Sequence, residues 1–85
     1  MMEATMSKRI GVLVVDDSVL MRKILTSLLQ SDPEIEVLGA AGDAAKAREL
    51  IRALNPDVLT LDIEMPGMDG LSFLRKIIEL RPMPV

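Results

Sequence analysis

Three aspartates stand where strand-like runs end, and their type and placement suit them for chemistry. Asp16 and Asp17 follow the apolar run Ile10–Val15, and Asp62 follows the run DVLTL. A carboxylate in such a place is a helix cap, a solvated loop end or part of a reactive site. The elements that hold these three residues decide between those interpretations.

The segments around the acids alternate between strand-like and helix-like patterns. RIGVLVVDD, EIEVLGAA and DVLTLDIE are short and rich in Val, Ile and Leu. The first and third are nearly continuously apolar, which is typical of strands buried on both faces of a parallel sheet. Each strand-like segment is followed by a helix-like one, and these are, in chain order, SVLMRKILTSLLQSD, AAKARELIRAL and GLSFLRKIIELR. The order predicts an α/β fold, β-α-β-α-β-α, with right-handed crossovers.

We predict an inward apolar face at helical spacing for each helix-like segment. The residues predicted to face inward are Leu20, Met21, Ile24, Leu25, Leu28 and Leu29 in the first, Ala47, Leu50, Ile51 and Leu54 in the second, and Leu71, Leu74, Ile77 and Ile78 in the third.

Polar residues and prolines mark the helix ends. Asp17 or Ser18 can cap the first helix and Asp43 the second. Residues 66–70 are a predicted turn, and Asp69 within it can cap the third helix. The dipeptides Asp32-Pro33 and Asn55-Pro56, and then Pro82, stop the helices, because the residue before a proline avoids the helical region.

The predicted sheet is of the flavodoxin-like, doubly wound type, whose strand order is 2-1-3-4-5. This chain has patterns for three strands only, in the order 2-1-3. We therefore expect a disordered tail over residues 1–8 and a partial domain over residues 9–85, without the fourth and fifth strands and their helices. The edge of residues 57–62 is then exposed, and we expect a second copy of the chain or an exchanged element to cover it.

In such a sheet the strands end at one edge, where ligands bind. If the first and third strands are neighbours, Asp16, Asp17 and Asp62 converge there. Carboxylates that close repel one another and favour a cation, and oxygen ligands suit Mg²⁺. An aspartate beside Mg²⁺ can act as a nucleophile toward phosphorus. The pattern predicts Asp62 as phosphoryl acceptor, with Asp16 and Asp17 as metal ligands.

Each acid also has a simpler interpretation. Asp17 alone is equally well explained as a helix cap, whereas Asp16 stands before the capping position. Asp62 lies seven residues before Asp69, too far to cap the same helix. Glu64 is more simply a solvated residue than a catalytic one.

Composition narrows the function further. The chain has no cysteine and no histidine, which excludes disulfides, thiolate or histidine metal sites and histidine acid–base catalysis within these residues. Its net charge of −3 argues against a nucleic-acid partner. Its longest apolar run is too short for a membrane span, and the N-terminus has no signal-peptide pattern. We expect a cytoplasmic domain.

The motifs VLVVDDS and PDVLTLDIEMPGMDGLSFL resemble the receiver domain of two-component response regulators. The paired acids, the strand-borne aspartate and the MPGMDG turn all match, and the resemblance covers Arg9–Val85. DDSVLMRKILTSLLQSDPEIEVLGAAGDAAKARELI and LRPMPV are similar, more narrowly, to the receivers of the CheB family of chemotaxis protein-glutamate methylesterases.

The resemblance implies that Asp62 accepts a phosphoryl group from a phosphohistidine of a chemotaxis histidine kinase. Asp16, Asp17 and Asp62 then hold Mg²⁺, together with the backbone carbonyl of Glu64. In that family, phosphorylation relieves inhibition of a C-terminal methylesterase and glutamine deamidase domain that acts on chemoreceptors. The resemblance therefore implies a parent protein that is an ester hydrolase, whereas we expect no esterase activity from this chain.

The family's switch Ser/Thr and its lysine stand at the ends of the fourth and fifth strands, for which this chain has no pattern. We therefore expect residues 1–85 alone to be phosphorylated weakly or not at all. Two other functions stay open at this point. One is the receiver of a DNA-binding response regulator, and the other is a Toprim-like nuclease fragment that uses Asp62 and Glu64 as an acidic pair.

Overall fold

Strands and helices alternate along the chain in the predicted order. The structure, a computed structural model, describes residues 9–62, 70–80 and 82–85. The elements are β1 (Ile10–Val15), α1 (Val19–Gln30), β2 (Ile35–Ala41), α2 (Ala44–Leu54), β3 (Val58–Leu61) and α3 (Gly70–Leu80).

The three strands form one parallel sheet in the order β2-β1-β3. Val15, at the end of β1, pairs with Ala41 of β2 on one side and with Leu61 of β3 on the other. The predicted fold class and strand order are therefore confirmed. Because the strands end in register, the residues that follow them meet at one edge of the sheet.

The hydrophobic core lies between the sheet and the helices α2 and α3. Leu13 and Val15 of β1 pack with Ala47 and Ile51 of α2 on this face. Phe73, from α3, is fully buried in the same cluster. Alternate residues of a strand point to opposite faces, so this core uses one half of β1.

The opposite face carries α1, which contacts β1 and β2. Val12 and Val14 are buried, but no residue of α1 is. Leu25 and Leu29 are half-buried, while Leu20 and Leu28 are 66% and 63% exposed. The periodicity correctly predicted a helix, and the prediction that its whole apolar face is buried is wrong.

The predicted inward face of α3 is wrong in part. Phe73 and Ile77 are buried, whereas Leu71 is 61% and Ile78 39% exposed. Phe73 and Ile77 are four residues apart and so share one face of the helix. The sequence offers two overlapping apolar faces here, and the one that meets the sheet is centred on Phe73.

Local signals set the ends of α1 and α2 as predicted. Ser18 Oγ accepts a hydrogen bond from the Met21 amide, and Asp43 Oδ1 accepts one from the Lys46 amide, so Ser18 and Asp43 cap α1 and α2. α2 ends at Leu54, and Asn55, which caps it, adopts a left-handed conformation with φ 52°. Asparagine tolerates this region better than most side chains.

The outer edge of β3 is not bare along its whole length, contrary to our expectation. The amide of Leu59 donates a 3.0 Å hydrogen bond to the carbonyl of Pro84. Between the two prolines at 82 and 84, Met83 is only 8% exposed and belongs to the core. The segment 82–85 of the same chain thus covers β3 at Leu59, where no second copy is required.

The predictions for the tail 1–8, Glu64, the turn 66–70 and the cap at Asp69 fall on positions outside the described residues, apart from Gly70 at the start of α3. Within the described part of the chain, no helix is long and apolar enough to cross a membrane.

Candidate functional site

Backbone hydrogen bonds carry the sheet one residue past the ends of β1 and β3. The amide of Asp16 donates to the carbonyl of Ala41 at 3.0 Å, and the amide of Asp62 donates to the carbonyl of Val15 at 2.9 Å. Asp16 and Asp62 are therefore held by the sheet itself rather than by a flexible loop. A site built on strand ends is more rigid than one built on loops.

The three predicted site aspartates come together at this edge. One carboxylate oxygen from each of Asp16, Asp17 and Asp62 lies within 4.8 Å of the other two. Asp16 is 9% exposed, Asp62 is half-buried and Asp17 is exposed. The convergence that the strand order predicts is thus present, with a solvent-facing side at Asp17.

Asp16 is fixed through its side chain as well as its amide. Its Oδ1 accepts a 2.9 Å hydrogen bond from the amide of Ser18, an Asx-type turn that leads from β1 into α1. Because Ser18 is the cap of α1, the interpretation of Asp17 as that helix's cap is wrong. Asp17 stands between two anchored residues and presents its carboxylate to solvent.

The cluster concentrates negative charge. For the partly buried pair Asp16 and Asp62, two unit charges at about 5 Å repel by about 3 kcal/mol at an effective dielectric of about 20. The N-terminus of α1, which begins at Val19, lies next to the acids and offsets part of that repulsion. A cation placed among the three oxygens offsets far more, because it attracts all of them.

The donor set fits a hard divalent cation. All three side chains offer carboxylate oxygens, the ligand type that Mg²⁺ and Ca²⁺ prefer. Mg²⁺ commonly takes one or two protein carboxylates and completes its shell with water and phosphate oxygens, and the exposure of Asp17 leaves an approach from solvent.

One residue at this edge was missed by the sequence interpretation. Arg22, in α1, donates from Nη1 to the backbone carbonyl of Asp16 at 2.6 Å. The available signal was a cation one helical turn after the cap of α1. That signal is weak, since arginines at such positions are common on solvated helix faces.

The family model for the response regulator receiver domain matches residues 12–85 of the chain. This chain belongs to the response regulator receiver family. The membership decides against the Toprim-like alternative, and it agrees with the strand order and with the acidic cluster at the edge of the sheet.

A methylesterase is among the receiver's close relatives. The protein-glutamate methylesterase/protein-glutamine glutaminase 1 of Rhizobium johnstonii is 66% identical over 80 residues, which are 94% of this chain and 23% of that protein. The chain spans less than a quarter of the length of the relatives it matches. The predicted likeness to CheB-type receivers is confirmed.

Solved receiver structures share the fold. The response regulator domain of Thermotoga maritima CheB superposes with a TM-score of 0.82 at 43% identity, over 89% of this chain and 57% of that one. CheY6 of R. sphaeroides, solved in complex with the P1 domain of CheA3, gives a TM-score of 0.77 at 33% identity, over 91% and 60%.

Proposed function

We propose that this receiver accepts a phosphoryl group on Asp62, at a site where Asp16, Asp17 and Asp62 hold Mg²⁺. The observation that carries the proposal is the convergence of three carboxylates within 4.8 Å at the carboxyl edge of the sheet. The backbone carbonyl of Glu64 completes the proposed ligands, as a prediction from the family pattern alone. We place this reaction in the cytoplasm.

Asp62 is the proposed acceptor because the sheet holds its backbone and its side chain is only half-buried. A carboxylate oxygen of Asp62 forms the new O–P bond while the P–N bond to the donor imidazole breaks. The imidazole leaves neutral after it takes a proton from water. Mg²⁺, when bound, neutralises charge on the phosphoryl oxygens. Asp16 is the more rigid of the two remaining acids, and Asp17 the more accessible.

The proposed phosphodonor is a phosphohistidine of a chemotaxis histidine kinase. Support comes from the structural likeness to CheY6, which was solved in complex with the P1 domain of CheA3. The two chains share the receiver fold and are 33% identical in sequence.

For the whole protein we propose that phosphorylation controls a protein-glutamate methylesterase and glutaminase activity directed at chemoreceptors. Relatives at 58–66% identity bear that name, which favours this output over the DNA-binding alternative. Since the chain spans less than a quarter of those relatives, the output activity is a property proposed for the protein that carries this sequence.

The proposal is tested on the whole protein that carries this sequence, rather than on residues 1–85 alone. The protein is incubated with acetyl phosphate, with and without Mg²⁺, and its intact mass is measured. We expect one added phosphoryl group, dependent on Mg²⁺ and absent from Asp62→Asn. Asp32→Asn is the matched control, since Asp32 is an exposed aspartate in the turn after α1. A phosphoryl group that persists in Asp62→Asn, or maps to another residue, contradicts the proposal.

A further inference from the structure

The side chain of Arg22 joins three elements at the edge of the sheet that carries the acids. Its own amide donates to the Ser18 carbonyl, the first helical bond of α1. Its Nη1 donates to the carbonyl of Asp16 at 2.6 Å. The same atom lies 2.8 Å from the place that a Cβ on Gly42 would occupy. The guanidinium therefore runs from α1 across the end of β1 to the residue after β2.

Arg22 completes the anchoring of Asp16. The amide of Asp16 is bound by Ala41 and its Oδ1 by the amide of Ser18. The carbonyl of Asp16 lies past the end of β1, and Arg22 is the donor that satisfies it. With amide, carbonyl and Oδ1 all bound, the backbone at Asp16 has little freedom to turn, and the carboxylate keeps its direction.

We propose that Arg22 is a positioning residue for the acidic site, and that Gly42 is required because it makes room for the guanidinium. The inference rests on the proposed function, since it concerns how well the site holds its cation. Arg22 acts through the Asp16 carbonyl; it is not itself a ligand or a reacting group.

Gly42 is informative because its backbone does not require glycine. Its φ lies outside the left-handed region, so alanine is conformationally allowed there. Two further Arg22 atoms, Cζ and Nη2, lie 3.4 Å and 3.7 Å from the same Cβ position. All three are at the far end of a flexible side chain, so a methyl group at residue 42 displaces Arg22 rather than the fold.

Positioning and simple electrostatics predict opposite results for Arg22. A guanidinium near three carboxylates repels an incoming cation, so on charge alone Arg22→Ala tightens Mg²⁺ binding. If Arg22 orients Asp16, its loss weakens Mg²⁺ binding by about 10-fold or more, as losses of groups that orient metal ligands do. The sign of the change therefore separates the two roles.

The test measures Mg²⁺ affinity by calorimetry for the protein that carries this sequence and for its variants Arg22→Ala, Arg22→Lys, Gly42→Ala and the Arg22→Ala/Gly42→Ala double variant. We expect Arg22→Ala and Gly42→Ala each to weaken binding. Arg22→Lys should recover part of the loss, because the ammonium is a single donor without the planar fork. Gly42→Ala should add no further loss when Arg22 is already alanine.

Lys23→Ala is the charge-matched control. Lys23 is the exposed neighbour of Arg22 on α1, and its removal should leave Mg²⁺ affinity within about 2-fold, as for exposed charges screened by salt. The amide nitrogen shift of Asp17 reports directly on the Asp16 carbonyl, because the two share one peptide group. We expect it to move in Arg22→Ala and Gly42→Ala but not in Lys23→Ala.

Mg²⁺ binding by Arg22→Ala that is equal to or tighter than that of the unsubstituted protein overturns the inference. So does a Gly42→Ala substitution that lowers Mg²⁺ affinity as much in the Arg22→Ala background as it does alone. If Arg22→Ala does not fold, Gly42→Ala alone still tests the positioning role through its Mg²⁺ affinity and the Asp17 signal. An unsubstituted protein that binds no Mg²⁺ contradicts the proposed function itself, a result distinct from a failure of Arg22 alone.

Discussion

The amide of Asp62 donates a 2.9 Å hydrogen bond to the carbonyl of Val15. This bond extends the β1–β3 ladder one residue beyond the pair Val15 and Leu61. It places Asp62 beside Asp16, whose own amide is bound to Ala41 on the other side. The neighbouring positions of Asp16 and Asp62 are therefore a product of parallel strand register.

Asp16→Asn should weaken Mg²⁺ binding by about 10-fold or more. Loss of a group that only orients a metal ligand already costs about 10-fold in metal affinity, and loss of a ligand's charge should cost at least as much. The substitution removes the charge, while the amide oxygen can still accept the hydrogen bond from Ser18. Calorimetric titration with Mg²⁺ measures the change.

Asp32→Asn provides a close control for that experiment. Asp32 Oδ1 accepts a 2.9 Å hydrogen bond from the amide of Glu34, the same local turn as at Asp16. It stands outside the acidic cluster, so Mg²⁺ affinity should be unchanged. Equal losses in the two variants would show that Mg²⁺ binding follows general charge rather than this site.

Phe73→Ala should lower the free energy of unfolding by about 3–5 kcal/mol, because it removes a large buried side chain and leaves a cavity. Phe73 is 0% exposed within the core shared by β1, α2 and α3. Leu71→Ala, on the same helix at 61% exposure, should cost less than about 0.5 kcal/mol. Urea denaturation of both variants checks which face of α3 is buried. A larger loss of unfolding free energy in Leu71→Ala than in Phe73→Ala would favour the face first predicted for α3.

Asn55→Ala should destabilise the protein by about 1 kcal/mol, because alanine lacks the local hydrogen bonding that lets asparagine occupy the left-handed region. Asn55 has φ 52° and ψ 59° at the C-terminal end of α2. Asn55→Gly should be at least as stable as the natural residue. Thermal denaturation separates the two variants, and an Asn55→Ala protein as stable as Asn55→Gly would argue against the left-handed cap.

The sequence predicted the fold and the convergence of the three acids because both depend on short-range patterns. Continuous apolar strands specify a parallel sheet, and a parallel sheet brings its strand ends to one edge. Asp16, Asp17 and Asp62 could therefore be assigned from their places after β1 and β3, before any distance was known. The likeness to receivers then added the Glu64 carbonyl, the phosphodonor and the output domain to the roles that this reasoning had already given the three acids.

Tertiary contacts were predicted less well. An apolar stripe identifies the face of a helix that can be buried, but not what lies against it. The exposure of Leu20 and Leu28 could therefore not be predicted from the stripe of α1. Phe73 was missed because its helix offers two apolar faces. Arg22 was missed because its role depends on a carbonyl oxygen and on the absent side chain of Gly42, and neither contact leaves a periodic signal.

The most direct test of the acceptor site is a titration with beryllofluoride and Mg²⁺, which together imitate a bound phosphoryl group, followed through the amide signals of Asp16, Asp17 and Asp62. The proposed site predicts saturable shifts centred on these three residues, dependent on Mg²⁺ and lost in Asp62→Asn. Shifts centred elsewhere, or an unchanged response in Asp62→Asn, would contradict the assignment of Asp62 as the phosphoryl acceptor.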